Sequence, residues 1–286
     1  MTPFRRSPAF ALACLCSLFA LPGLQAFVPG GTSGEAIMEE QRKRHSVQSE
    51  IALIRLITVS RSGDMTQRDI LNVVGRQPDN NRLQYLMRFT RPEEVAGTTL
   101  LAKEDEDGSV VSWLYLPALG VANRITGESQ SGAFMGSDFS YEDLQKESTT
   151  DYEYTLVNED RVGDVPAWKI VAMAKSPGRK RITGYSRRIL YVDKENYNTL
   201  KIEFFDQNNV LIKTLHAFGY DAAEVEGTTM RPHRAVMTNH ETETTSIITV
   251  LRSRVNQPVD NDLFTLDQVK SWSEADTEQL LGNFEY

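Results

Sequence analysis

From Glu50 onward, apolar and polar residues alternate with a period of two, in many short runs separated by turn formers. A period of two sends successive side chains to opposite faces of an extended strand, so this pattern commits the chain to β structure. The clearest run is Arg82 to Thr90, with Leu83, Tyr85, Met87 and Phe89 on one face and Arg82, Gln84 and Arg88 on the other. Leu200, Ile202 and Phe204 alternate with Lys201, Glu203 and Phe205 in the same way. Further strands are predicted near residues 50–60, 66–76, 110–116, 152–158, 167–174, 186–193, 209–219, 229–240 and 244–254. Turn signals punctuate them at Ser62-Gly-Asp64, Pro78 to Asn81, Asp105 to Gly108, Asp206 to Asn209 and Glu226-Gly227. Pro232, inside a strand pattern, points to an edge or a bulge.

Short strands joined by hairpin-length loops make a meandering antiparallel sheet, which must hide one apolar face. Helical patterns are few: residues 35–45, the region around 128–146, and a weak one at 274–282. Thr32 with Glu35 fits a capping box for the first of these. Too few helices remain for a doubly wound fold. The expected class is mainly β, a strongly curved antiparallel sheet closed on itself or wrapped over a small helical plug.

The first 26 residues read as a secretory signal. Arg5 and Arg6 precede an apolar run from Ala9 to Leu21, Pro22 and Gly23 break it, and Ala26 offers the cleavage point. Residues 27–34 follow as a turn-rich lead-in, 35–272 as a single domain, and 273–286 as a tail with a short helix. Both cysteines, Cys14 and Cys16, fall in the signal, where a lipidated Cys14 is the alternative to ordinary cleavage. The mature chain of 260 residues then has no cysteine, and loss of the two arginines takes the net charge from −8 to −10. That acidity argues against broad electrostatic binding to nucleic acid.

No stretch of the sequence matches a catalytic pattern. Gly127 to Gly132 holds Ser129 and Ser131, but the spacing does not match a nucleophile elbow. His45, His216, His233 and His240 show no zinc-binding spacing, and no phosphate loop follows a strand. The acidic run Glu104 to Asp107 lacks the remaining ligands of a calcium loop and reads as a charged hairpin tip. No catalytic residue, metal or cofactor is therefore assigned. One basic cluster stands out in the acidic chain: Lys175, Arg179, Lys180, Arg181, Arg187 and Arg188. It reads either as a solvated hairpin tip or as a contact for lipid headgroups or an acidic partner.

The most distinctive stretch runs from Val110 to Leu144. Trp113-Leu-Tyr115-Leu-Pro117 ends one strand and Arg124-Ile125 marks another. Phe134-Met135-Gly-Ser137-Asp138-Phe139-Ser-Tyr141-Glu-Asp-Leu144 follows. Near the end, Asp262-Leu-Phe264-Thr-Leu266 forms a closing motif. This combination resembles the LolA-like family of outer-membrane lipoprotein-sorting proteins, over about residues 35–270. The resemblance implies an open half-barrel of antiparallel strands, helices over its mouth, and an apolar cavity between them.

It also implies a non-enzymatic periplasmic carrier whose cargo is a lipid or an acylated lipoprotein. An inner-membrane exporter of the resistance-nodulation-division type is the further partner it suggests. Candidate lipid-contacting residues are Trp113 and Tyr115 on one strand face, and Phe134, Met135 and Phe139 in a cover. Leu83, Tyr85, Met87, Phe89, Leu200, Ile202 and Phe204 join them on the apolar sheet face, where each serves equally as ordinary core. Ser137 or Asp138 is expected to cap a helix in that cover.

Two rival readings stand beside the carrier, with a hydrolase, which no constellation of residues supports, ranked last. One is an accessory binding subunit of an envelope lipid exporter, contacting its partner through the basic cluster. The other is an outer-membrane barrel, suggested by Phe284 and Tyr286 but opposed by the capped helical pattern from Ser273 to Gln279.

Overall fold

Alternation is realised as strands in the computed structural model, which describes residues 32–146, 148–220 and 232–282. The first group comprises β1 (Glu50–Val59), β2 (Met65–Arg76), β3 (Leu83–Arg91), β4 (Thr99–Glu104), β5 (Val110–Leu116) and β6 (Val121–Ile125). The second comprises β7 (Tyr152–Val162), β8 (Val165–Ala174), β9 (Arg187–Asp193), β10 (Thr199–Phe205), β11 (Leu211–Phe218), β12 (Arg234–Asn239) and β13 (Thr244–Val255). The signal at 1–26, the lead-in as far as residue 31, and Phe284 and Tyr286 lie outside the described residues.

All thirteen strands join one antiparallel sheet in the order β6-β5-β4-β3-β2-β1-β13-β12-β11-β10-β9-β8-β7. The sheet is curved but does not close, with β6 and β7 as its two edges. Register shifts at Leu53/Ile54, Asp69/Ile70 and Phe204/Phe205 supply bulges, which bend a sheet locally. Strand β4 carries no period-two signal, and the reason is burial on both faces: Leu100 and Ala102 pack on one side, Leu101 on the other.

Helix α1 (Gly34–Arg44) forms where the dipole pattern predicts, with Glu35 in its first turn and Arg42, Lys43 and Arg44 in its last. Its cap is Ser33, not Thr32: the Ser33 hydroxyl accepts from the Ala36 N–H at 3.1 Å. Ile37 and Met38 bury against Tyr152, Tyr154, Ile170 and Leu190 on what we call the inner face of the sheet. On the back face, α3 (Leu266–Ser271) and α4 (Glu274–Gly282) follow the closing motif. Phe264 is fully buried there against Ile51, Leu71, Val73 and Leu86. Gly75 makes the room, because a Cβ on it would lie 2.8 Å from the Phe264 ring. Among the described residues no helix is long and apolar enough to cross a membrane.

The topology leaves one long connection to explain. Residues 126–151 must carry the chain from edge strand β6 to the opposite edge strand β7. Connections of this length without long secondary structure are uncommon in compact folds and are often functional. This one crosses the inner face and forms a cover. The helix expected around 128–146 is absent; only short 3₁₀ turns at Gly127–Ser131 and Phe134–Gly136 occur. Met135 at φ 48° and Gly136 at φ 74° take left-handed conformations, which an α-helix does not accommodate.

Candidate functional site

Three fastenings hold the cover to the sheet. Phe134 is fully buried against Phe89 (ring centroids 5.7 Å apart) and meets Tyr141 edge-on at 5.6 Å. Asp138 is tied to β13: its carboxylate accepts from the Thr244 and Ser246 hydroxyls, and its N–H donates to Ser246 Oγ at 2.9 Å. Arg68 of β2 donates to the Met135 carbonyl at 3.0 Å. The expected cap at Ser137 or Asp138 is therefore corrected. Ser137 closes its own turn on the Phe134 carbonyl, and the reciprocal cap belongs to Ser140 and Asp143.

A fourth anchor is ionic and buried. Glu142 accepts from Tyr152 Oη at 3.1 Å and pairs with Arg179 of helix α2 (Pro177–Thr183). Burial pushes the Glu142 carboxyl up to about 7, against the opposing pull of Arg179, Arg188 and the Tyr152 hydrogen bond. Asp143 accepts from Tyr185 Oη at 3.0 Å, and burial raises that phenol well above its ordinary value.

Beside the cover lies a cavity of about 400 Å³ on the inner face, between α1, residues 144–146 and 149, and strands β1 to β3. Its wall includes Met38, Ile54, Val74, Leu83, Tyr85, Met87, Leu144 and Ile248. At its outer end it adjoins a more polar basin of about 630 Å³ that shares Arg42, Arg76, Leu83, Tyr85, Lys146 and Thr149 with it. A smaller cavity of about 230 Å³ lies on the other side of Gln41 and Gln145, lined by Phe139, Ile202, Phe204 and Met237 among others.

The sequence candidates distribute unevenly over this geometry. Leu83, Tyr85 and Met87 line the larger cavity, and Phe139, Ile202 and Phe204 line the smaller one. Phe89, Phe134 and Met135 pack between sheet and cover without lining either. Trp113, Tyr115 and Leu200 are elsewhere. Trp113 pairs with Leu101 and Tyr115 with Thr99, so strand alternation turns both to the back face under α3 and α4. Leu200 sits at the register shift of β10 and packs with Ile189 and Tyr191 on the back face. Val74, Ile54, Met38 and Ile248 of the cavity wall were not singled out from the sequence, although β2 alternation alone puts Asn72, Val74 and Arg76 on one face.

Nor does the basic cluster form one patch. Adjacent positions on β9 send Arg188 to the inner face, stacked 4.1 Å over Tyr152, and Arg187 to the back face over Phe205 at 4.2 Å. Arg179 turns inward to Glu142 and Asp151, Arg181 lies 3.5 Å from Glu128, and Lys180 is half-buried. Only Lys175 and Arg181 of the six are exposed. The serines between Gly127 and Gly132 bond within their own turn, Ser129 to the Thr126 carbonyl and Ser131 to the Glu128 carbonyl.

An open antiparallel half-barrel with a cover on its inner face and an apolar cavity beneath defines the LolA-like class of fold. A family profile described as "uncharacterized protein" matches residues 81–271, and the chain belongs to that family. An outer membrane lipoprotein-sorting protein domain from Vibrio parahaemolyticus is similar at 26% identity and a TM-score of 0.75, over 83% of this chain and 98% of that one. A DUF1329 family protein from Desulfovibrio piger aligns at 21% identity and 0.76, covering 82% and 97%. A LolA superfamily protein from Nitrosomonas europaea aligns at 19% and 0.65, covering 82% and 99%. No curated protein sequence matches the chain.

Proposed function

We propose that this protein is a non-enzymatic carrier, exported to the periplasm, that shields the acyl part of a lipid or lipidated protein in its inner-face cavity. The observation that carries this reading is the apolar cavity of about 400 Å³ beneath a cover that spans the sheet from edge to edge. Its volume falls in the range of small-ligand sites, roughly 300–1,000 Å³, and its wall is largely apolar. An acyl chain exposed to water costs about 0.8 kcal/mol per methylene, so a soluble carrier must cover most of the chain. The likeness to a lipoprotein-sorting domain supports the same reading. The accessory-subunit alternative relied on a basic contact surface, and the six bases are dispersed over two faces of the sheet.

Mass spectrometry of protein purified without detergent tests the proposal. Expected is a co-purified acyl lipid that leaves on delipidation, after which the protein binds an acyl probe. Protein that carries no lipid and takes up no probe would refute it.

A further inference from the structure

Resting on the carrier reading, we infer that the cargo bears an anionic head, a carboxylate or phosphate, held between Arg76 and Arg42 where the apolar cavity meets the polar basin. Both side chains line both spaces, so they stand at the boundary where an amphiphile buried by its chain would leave its head. Alternation along β2 brings Arg76 to the inner face two residues beyond Val74. The spacing of α1 places Arg42 one turn beyond Met38, another cavity residue.

The state of Arg76 is unusual for a cation in so acidic a chain. All its hydrogen bonds go to neutral acceptors: the Val47 carbonyl at 3.0 and 3.1 Å, Ser46 Oγ at 2.9 Å and the Asn81 carbonyl at 3.3 Å. Among the described residues no carboxylate forms an ion pair with it. Arg42 has one ionic partner, Glu39, a turn back on its own helix. Half-burial lowers the tendency of Arg76 to stay charged; Glu104, which also lines the basin, opposes this, and the field of Arg42 adds to it. Glu104 is itself engaged, accepting the Leu83 N–H at 2.9 Å. A half-buried guanidinium with no carboxylate in direct contact, beside a second one, is the arrangement that an incoming anion stabilises, and the planar guanidinium fork suits carboxylate and phosphate alike. A neutral diacylglyceryl group would leave Arg76 without a carboxylate or phosphate in contact.

Three ligands with the same chain and different heads separate the possibilities: palmitate, hexadecyl phosphate and hexadecanol, titrated calorimetrically into the purified, delipidated protein. At low ionic strength at least one anion is expected to bind about tenfold or more tightly than the alcohol, with the preference shrinking as salt is added. Which anion wins identifies the head as carboxylate or phosphate. Arg76→Gln combined with Arg42→Gln is expected to bring the ratio to about one while hexadecanol affinity holds. Arg76→Lys, which keeps the charge, should retain part of it. Should the double variant fail to fold, Arg42→Gln alone and the salt titration of the parent protein decide the matter. Equal affinities for all three ligands, or a preference that survives in the variants, would overturn the anionic head and leave the carrier standing. If no ligand binds, the carrier reading falls and takes this inference with it.

Discussion

Glu142 is the residue at which burial and charge compete most directly. It faces Arg179 from α2, Arg188 from β9, the Tyr152 hydroxyl from β7, and Asp143 beside it, yet burial wins and its carboxyl rises from 4.5 to about 7. The folded protein therefore holds a proton between those values that the unfolded chain has released. The resulting stabilisation is fully present below about pH 4.5 and is lost as the pH rises through about 7, on the order of 3 kcal/mol. Glu142→Gln keeps a neutral acceptor at the same place. Thermal melts across this window should show a declining Tm in the parent and a flatter profile in the variant; an unchanged slope would remove Glu142 as the source. Gly75 is a second single-residue test. A methyl group at this position would press on the buried Phe264 ring, so Gly75→Ala is expected to cost about 1–3 kcal/mol in urea unfolding. Little or no change would mean that the closing motif can shift away from the strand.

Among the elements, residues 126–151 carry the most consequence, because they alone join the two edges of the sheet. Asp138 fixes their middle to β13 through two hydroxyls and a backbone N–H. Asp138→Ala strips the bonding partner from Ser246, whose side chain is fully buried, and should cost about 1–3 kcal/mol. Hydrogen exchange should locate that loss in residues 130–145, with β1 to β3 still protected. Uniform loss of protection across the sheet would show instead that cover and sheet unfold as one unit.

These elements also show what a sequence discloses. Strands half-exposed to solvent, such as β2, keep their period-two signature and were legible. Strand β4, buried on both faces, lost it. Ser137 or Asp138 ahead of Tyr141-Glu-Asp looks like the start of a capped helix, whereas the course of the cover is dictated by the distance between β6 and β7, which no local pattern contains. For the candidate site, β3 alternation puts Leu83, Tyr85 and Met87 on one face, and all three line the larger cavity. Alternation also paired Trp113 with Tyr115 correctly, but it cannot say which face of a sheet is covered by which later segment. Only the docking of α3 and α4, from the far end of the chain, settles that these two belong to the back. No local pattern marks Arg42 and Arg76, because each is an ordinary basic residue in its own element, and α1 must pack on the sheet before both can line one space.

For the whole molecule, a carrier must be stable without cargo and more stable with it, since both states have to persist between loading and release. That requirement separates a cavity from a defect. A ligand that binds only the folded state adds stability as RT ln(1 + [L]/Kd), about 2.7 kcal/mol at a hundredfold excess over Kd. A void that binds nothing adds none. Val74 is partly buried and lines the cavity, so Val74→Phe can extend its ring into the empty volume and occupy the space an acyl chain would take. The variant is expected to melt close to the parent in the absence of ligand, because the cavity accommodates the added ring. Palmitate in excess should raise the Tm of the parent and leave that of the variant unmoved. The two measurements have to be taken together. A variant that loses stability on its own and still responds to palmitate would place the acyl chain elsewhere, with the smaller cavity lined by Ile202 and Phe204 as the next site to fill.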